Sequence, residues 1–402
     1  MKRIAITGLG IVSPIGNNVS QFEASLRLGR SGVKENRWHD TEGFASKQFG
    51  KIEGFEVPAE IGNRAKRHYS SVDLYALAAA IEAVESARLP INSVVRAGTG
   101  VVLGSGGAVA DTEAYVTRAV RKEPRRPSRL LTTNPDNAGN VVAAHFGFQG
   151  PRSSIMTACS SGATALGYAA DFIREGYADV VLAGGVEAAS YVTLSGFNAL
   201  GALSPTVTRP FDLNRDGIVL GEAAAVLVLE DMDYALRRKA PILAEFVSYG
   251  LTSDANHITA PHPEGDGMAR AMNMALRKGG VKPEQIRYIN AHGTGTQLND
   301  KSETAAVKRV FGEKPEGLCM STIKPMIGHT LSAAGAIEAA ATVLSLQGQF
   351  VPPTLNYQTP DPECDLDYVP NRARNHAMKY AMSNSLAFGG NNTSLIFRRY
   401  EG

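Results

Sequence analysis

Cys159 lies in Ser154-Ile155-Met156-Thr157-Ala158-Cys159-Ser160-Ser161-Gly162, where a short strand-like stretch runs into a helix of small residues. A thiol at a helix N-terminus faces unpaired backbone amides and the positive end of the macrodipole, both of which favour thiolate over the usual pKa of about 8.5. Two histidines lie in glycine-flanked loops, Asn290-Ala291-His292-Gly293-Thr294-Gly295-Thr296 and Lys324-Pro325-Met326-Ile327-Gly328-His329-Thr330. Each loop follows a short strand-like run, a setting that lets an imidazole enter a cleft. Together the three side chains form a candidate set of one nucleophile and two positioned donors. Alone, each has a plainer reading, the cysteine as a small buried hydrophobe and the histidines as satisfied structural residues. Zinc ligation competes poorly, since no second His or Cys stands at a compact ligand spacing beside either histidine.

The elements around these residues alternate. Runs rich in β-branched residues at 4–6, 99–103, 180–183, 225–229, 286–289 and 393–397 predict strands. Segments 69–87, 162–175, 267–278, 301–311 and 331–346 carry apolar residues at three- and four-residue spacing and predict helices. Strands alternating with helices indicate an α/β fold with buried sheets. The stretch 332–346, apolar nearly all round, predicts a helix buried between layers, hence a layered α/β/α/β/α arrangement. Gly8-x-Gly10-x-x-Ser13 lacks the third glycine of a dinucleotide site and reads as a tight structural turn. The polar stretch 249–266, with two prolines, suggests a division near Leu251 into halves 1–251 and 252–402.

Composition narrows the class. A chain of 402 residues exceeds what one core usually supports, so two packed units or a duplicated fold is expected. With 44% hydrophobic and 20% charged residues it can bury a large core. Lys plus Arg number 41 against 39 Asp plus Glu, a net charge of +2 that argues against wholesale nucleic-acid binding. The one dense basic run, 121–129, has no reader motif or interleaved aromatics and is expected to be an exposed loop. Cys159, Cys319 and Cys364 are too sparse for a disulfide framework, which suits a reducing cytoplasm. No segment has the apolar length expected of a signal peptide or a membrane span.

Taken in order, the motifs resemble those of the β-ketoacyl synthases, the decarboxylating condensing enzymes of fatty-acid and polyketide synthesis. They are Thr7-Gly8-Leu9-Gly10 with Ser13-Pro14-x-Gly16, Thr157-Ala158-Cys159-Ser160-Ser161-Gly162, Arg209-Pro210-Phe211-Asp212 with Arg215-Asp216-Gly217, His292-Gly293-Thr294-Gly295-Thr296, Lys324 with Gly328-His329, and Phe388-Gly389-Gly390. The resemblance spans nearly the whole chain and implies a thiolase fold, a duplicated five-layer α/β/α/β/α architecture. It implies that Cys159 takes an acyl group from a phosphopantetheine thioester, that His292 and His329 stabilise the enolate left when a malonyl thioester loses carbon dioxide, and that the backbone amides of Cys159 and Phe388 hold the tetrahedral oxyanion. Phe388, Gly389 and Leu386 would form the gating loop, and Thr294 and Thr296 would bond the pantetheine arm. Lys324 matches a buried lysine of the family and Glu338 lies nine residues beyond His329, so the two are expected to pair and orient the His329 loop.

The same resemblance implies no metal or redox cofactor, substrates delivered by an acyl carrier protein, and a dimer, either of two identical chains or with a homologous chain-length-factor-like subunit. Carrier docking is expected at Arg64, Lys66, Arg67, Lys122, Arg125 and Arg126. A non-catalytic partner subunit of a ketosynthase is the competing reading, but such subunits generally lack the cysteine. The chain departs from the family at Leu386, Ala387 and Asn391, where Phe, Gly and Thr are usual, and at Gln297, a common proline position. Ala223 and Ala225 stand where glycines are frequent. These departures concern gating and chain selection, so a polyketide or aryl-polyene pathway is as credible as fatty-acid synthesis.

Overall fold

The computed structural model describes residues 2–124 and 126–402, the side chains of 64–66 and 129 excepted. Ten strands form its main sheet: β1 (Ile4–Val12), β2 (Thr99–Ser105), β3 (Arg152–Ile155), β4 (Val180–Glu187), β5 (Ala223–Asp231), β6 (Ala244–Ser253), β7 (Ile286–Asn290), β8 (Cys319–Ser321), β9 (Tyr380–Leu386) and β10 (Asn391–Arg399). Their order is β8-β7-β9-β10-β6-β1-β5-β4-β2-β3. From β1 outward the pairings run antiparallel to β5 and β4, then parallel to β2 and β3. From β6 outward they run antiparallel to β10 and β9, then parallel to β7 and β8. The second half therefore repeats the first strand for strand, a duplication visible in topology although the two sequences share no obvious repeat. The halves join where Ile4 to Ile6 pair with Phe246 to Ala244.

Among the helices that clothe this frame are α1 (Ser71–Ser86), α2 (Val109–Val120), α3 (Ser161–Arg174), α4 (Asp266–Gly279), α5 (Gln297–Phe311) and α6 (Ala334–Gly348). Helices α3 and α6 pack on each other between the half-sheets, α1 covers β1 and β5 from outside, and α4 covers β6 and β10. This is the five-layer thiolase arrangement. Thirteen consecutive residues of α6, Ala334 to Leu346, are buried, which is why its sequence shows no polar face.

Two expectations change. Gly8 and Gly10 lie inside β1 rather than in a turn, and a Cβ on Gly10 would stand 1.8 Å from the Ala79 carbonyl of α1. Gly250 does the same work in β6, where a Cβ would meet the Ala271 carbonyl of α4 at 2.0 Å. In both halves the glycine lets the outer helix sit against the sheet. A division at residue 251 would cut β6 and its pairing with β10; we place it between β5 and β6, in residues 232–243.

Candidate active site

Cys159 stands at a strained elbow. Ala158 has φ 49°, a left-handed conformation costly for alanine, and opens the single turn Ala158–Ser160 that leads into α3. Ser161 fixes it, donating its hydroxyl to the Ala158 carbonyl at 2.6 Å and accepting the Thr157 N–H at 2.9 Å. Cys159 is 5% exposed. Burial pushes its thiol up to about 12, opposed by the Lys324 charge and by the Phe388 backbone N–H, which donates to the sulfur. This corrects the expectation of a thiolate: desolvation outweighs what the helix start supplies, and the resting group is a thiol.

Opposite it, the rings of His292 and His329 lie 5.3 Å apart at 82°. Lys324 is 1% exposed and spends all three ammonium protons, on the His292 carbonyl, on Glu338 Oε1, and on His292 Nδ1 at 3.2 Å. An ammonium has no acceptor, so His292 Nδ1 is unprotonated and Nε2 carries the hydrogen. His329 Nδ1 accepts the Leu331 N–H at 3.2 Å, which again puts the ring proton on Nε2. Burial, then the nearby Lys324 charge, holds both rings well below the usual histidine range. The pair thus consists of two neutral Nε2–H donors. Lys324 does bind Glu338, but the histidine whose ring it orients is His292; the backbone of His329 is held instead by Val219 and Gly221.

All three groups open on one cleft of about 340 Å³, whose walls include Thr294, Thr296, Leu386, Phe388 and Phe197. The Phe388 ring stacks on Phe197 at 5.7 Å. Thr294 and Thr296 bond each other through their hydroxyls at 3.0 Å, and Thr296 also caps α5.

The sequence of the chain agrees with this geometry. Residues 1–235 match the N-terminal domain of the β-ketoacyl synthases and residues 243–358 the C-terminal domain. The chain belongs to the β-ketoacyl synthase family. It is 41% identical, over 100% of its length and 99% of theirs, to 3-oxoacyl-[acyl-carrier-protein] synthase 2 of Staphylococcus aureus (strain COL). Among solved structures it is similar to the ishigamide ketosynthase/chain length factor, with a TM-score of 0.93, 37% identity and 99% of each chain covered. It is also similar to a type II polyketide synthase ketosynthase solved with its acyl-carrier protein and a hexaketide, with a TM-score of 0.91, 35% identity and 100% of each chain covered. The protein is accordingly an acyltransferase that forms carbon–carbon bonds.

Several groups that shape the synthase's site were missed from sequence. Glu303 accepts the backbone N–H of His292 and of Gly293, both at 2.9 Å, and burial pushes it up to about 7. Asp300, one turn earlier on α5, accepts the N–H groups of Phe211 and Gly295 at 2.7 and 3.2 Å. Arg215 donates to the Thr296 and Gln297 carbonyls and pairs with Asp361, fixing the start of the same helix. The available signal was a pair of carboxylates three residues apart in a helix directly after the histidine loop; their burial was not readable.

Two of the departures, Ala387 and Gln297, have local explanations. Ala387 is extended, at φ −138° and ψ 153°, so alanine fits without strain. The left-handed conformations fall on Gly389 and Gly390, at φ 80° and 77°, and the Gly389 N–H donates to the Ile258 carbonyl at 2.7 Å. Gln297 spends its side-chain amide on the Arg215 carbonyl at 2.5 Å. Of the docking candidates, Arg67, Lys122 and Arg126 are exposed, while Arg125 and the side chains of Arg64 and Lys66 lie outside the described residues.

Proposed function

We propose that the synthase elongates chains by a decarboxylative Claisen condensation of an acyl thioester with a malonyl thioester, both presented on the phosphopantetheine of an acyl carrier protein. Cys159 is the acyl acceptor. Its buried thiol loses its proton as sulfur attacks the incoming thioester, and the carrier thiolate leaves with a proton. The malonyl thioester then enters past Thr294 and Thr296, and its carbonyl oxygen meets the two Nε2–H groups. Loss of carbon dioxide places negative charge on that oxygen, where donors fixed in a dry cleft are most effective. The enolate carbon attacks the acyl-Cys159 carbonyl, the oxyanion rests on the Cys159 and Phe388 N–H groups, and the thiolate departs. The protein contributes no cofactor of its own to this sequence.

The observation that carries this reading is the convergence of one thiol and two neutral imidazoles, each with its Nδ1 occupied, on a single cleft. It also favours a catalytic subunit over a chain-length-factor-like one. Presentation by carrier protein draws support from the structural relative solved with its acyl-carrier protein, and a chain-length-factor partner from the ishigamide system. An acidic carrier would meet Arg67, Lys122 and Arg126 with their neighbours Arg64, Lys66 and Arg125. Three unpaired cysteines accord with a reducing, cytoplasmic setting, and among the described residues no helix is long and apolar enough to cross a membrane. The replacement of the usual Phe and Gly by Leu386 and Ala387 accords with a polyketide or polyene chain as well as with a fatty acid. Intact-mass measurement after incubation with acyl carrier thioesters tests the core of the proposal. An acyl adduct on Cys159, discharged as a two-carbon-longer β-ketoacyl carrier when malonyl carrier is added, is the expected result; no adduct with any carrier thioester would overturn it.

A further inference from the structure

We propose that Glu187 is a positioning residue of this reaction, clamping through Ser332 the turn that aims His329 at the enolate oxygen. Glu187 ends β4 and is 7% exposed. Its Oε2 accepts the Ser332 hydroxyl at 2.6 Å and, more weakly, the Ser332 N–H at 3.4 Å. The Val186 carbonyl, 2.8 Å from the same oxygen, shares that one proton, and the oxygen accepts the Gly106 N–H at 3.3 Å, so Ser332 is tied to two strand ends. Burial pushes the carboxyl up to about 7, opposed by the Ser332 hydroxyl and N–H and by the Ala188 N–H.

What this clamp holds is a strained turn. Leu331, directly before Ser332, has φ 48°, a conformation that a leucine keeps only when its surroundings enforce it. That conformation brings the Leu331 N–H onto His329 Nδ1, the bond that sets the ring's tautomer and direction. Glycines make the clamp possible. A Cβ on Gly185 would stand 2.7 Å from the Ser332 carbonyl, and one on Gly162 would stand 3.1 Å from the same atom. The turn is therefore wedged between β4 and the first residues of α3, beside Cys159. The Glu187 carboxylate adds a side-chain tie to this wedge, and a donor displaced by about 1 Å can cost on the order of a hundredfold in rate.

The inference rests on His329 acting as an enolate donor, so its test runs beside His329→Ala. Acylation of Cys159 is followed by intact mass and decarboxylation by release of labelled carbon dioxide from malonyl carrier. Glu187→Ala should slow decarboxylation at least about tenfold while acylation stays within about twofold, and Glu187→Gln, which keeps an acceptor for Ser332, should return to within about threefold of the native rate. Ser332→Ala, a smaller change, should slow the same step severalfold and reads the link even if Glu187→Ala does not fold. Equal losses in both half-reactions, or Glu187→Ala and Ser332→Ala decarboxylating at the native rate while His329→Ala does not, would overturn the assignment. If His329→Ala itself decarboxylates normally, it is the reading of His329 that fails.

Discussion

Lys324 Nζ lies 3.2 Å from His292 Nδ1 while also bonding Glu338, so one buried ammonium both fixes an imidazole's tautomer and neutralises a carboxylate. Removing one partner of such a pair leaves an uncompensated charge, typically a loss of about 3–5 kcal/mol. Lys324→Met should therefore lower the melting temperature and free the His292 ring, with decarboxylation falling at least about a hundredfold as an aligned donor is lost. The double variant Lys324→Met with Glu338→Leu should recover most of the stability but not the activity. Denaturant titration beside a carbon dioxide assay separates the two effects; recovery of both together would mean that the lysine matters only for packing.

The height of the Cys159 pKa gives a pH prediction. Because burial raises it to about 12, the thiolate fraction at neutral pH is minute and grows about tenfold for each unit of pH below that value. Alkylation by iodoacetamide, mapped to the Cys159 peptide, should rise steadily across roughly pH 7–10 with no plateau. A plateau below about pH 8 would mean a depressed pKa of the kind the helix N-terminus suggested.

Chemistry-bearing residues were more legible than the forces acting on them. Cys159, His292 and His329 could be picked from loop chemistry because glycines and small residues mark backbone that must turn or approach closely. The pairing of Lys324 with Glu338 followed from the cost of a lone carboxylate on an apolar helix. The state of the thiol was not legible, since helix-end electrostatics is local whereas desolvation depends on what folds over Cys159 from β9 and the 386–390 loop. Gly10 misled for a related reason. A glycine that admits a helix backbone looks in sequence like a glycine that makes a turn, and only tertiary packing separates the two.

Among the described residues strand β3 ends the sheet with one edge unpaired, and Met156 directly follows it. Leu131 is 75% exposed, Met156 68% and Val120 77%, and α2 buries none of its residues within the chain. A homologous or identical subunit is expected to cover this region. Burying a large apolar side chain contributes about 1.5–3 kcal/mol, so the double variant Leu131→Glu with Met156→Glu should weaken association at least about a hundredfold. Sedimentation velocity measures this; a native chain that is monomeric both alone and with a chain-length-factor-like subunit would contradict it.

The exposed cations should affect carrier-bound substrates alone. Reversing Lys122 and Arg126 to Glu removes attraction for an acidic carrier without touching the cleft, so KM for malonyl carrier should rise several-fold and its salt dependence flatten while kcat holds. A free pantetheine thioester should be used at its unaltered rate. Unchanged kinetics with the carrier at low ionic strength would place the docking surface elsewhere.

The proposed division of labour separates the two half-reactions. Cys159→Ala should form no acyl-enzyme yet still release carbon dioxide from malonyl carrier, since both Nε2–H donors remain. His292→Ala should do the reverse, keeping acylation and losing at least about a hundredfold in decarboxylation, with some slowing of acyl transfer because its loop also borders the thiol. His329→Ala should lose decarboxylation to a similar degree and leave acylation closer to native, because its ring is held by its own turn and the Phe388 N–H still faces the sulfur. Asn in place of either histidine should restore part of the loss, since a side-chain amide offers a neutral N–H donor of similar reach. Intact mass and labelled carbon dioxide release are measured on the same preparations. If Cys159→Ala still gains an acyl group, or if both alanine variants of the histidines decarboxylate at the native rate, the thiol and the imidazoles do not have these roles.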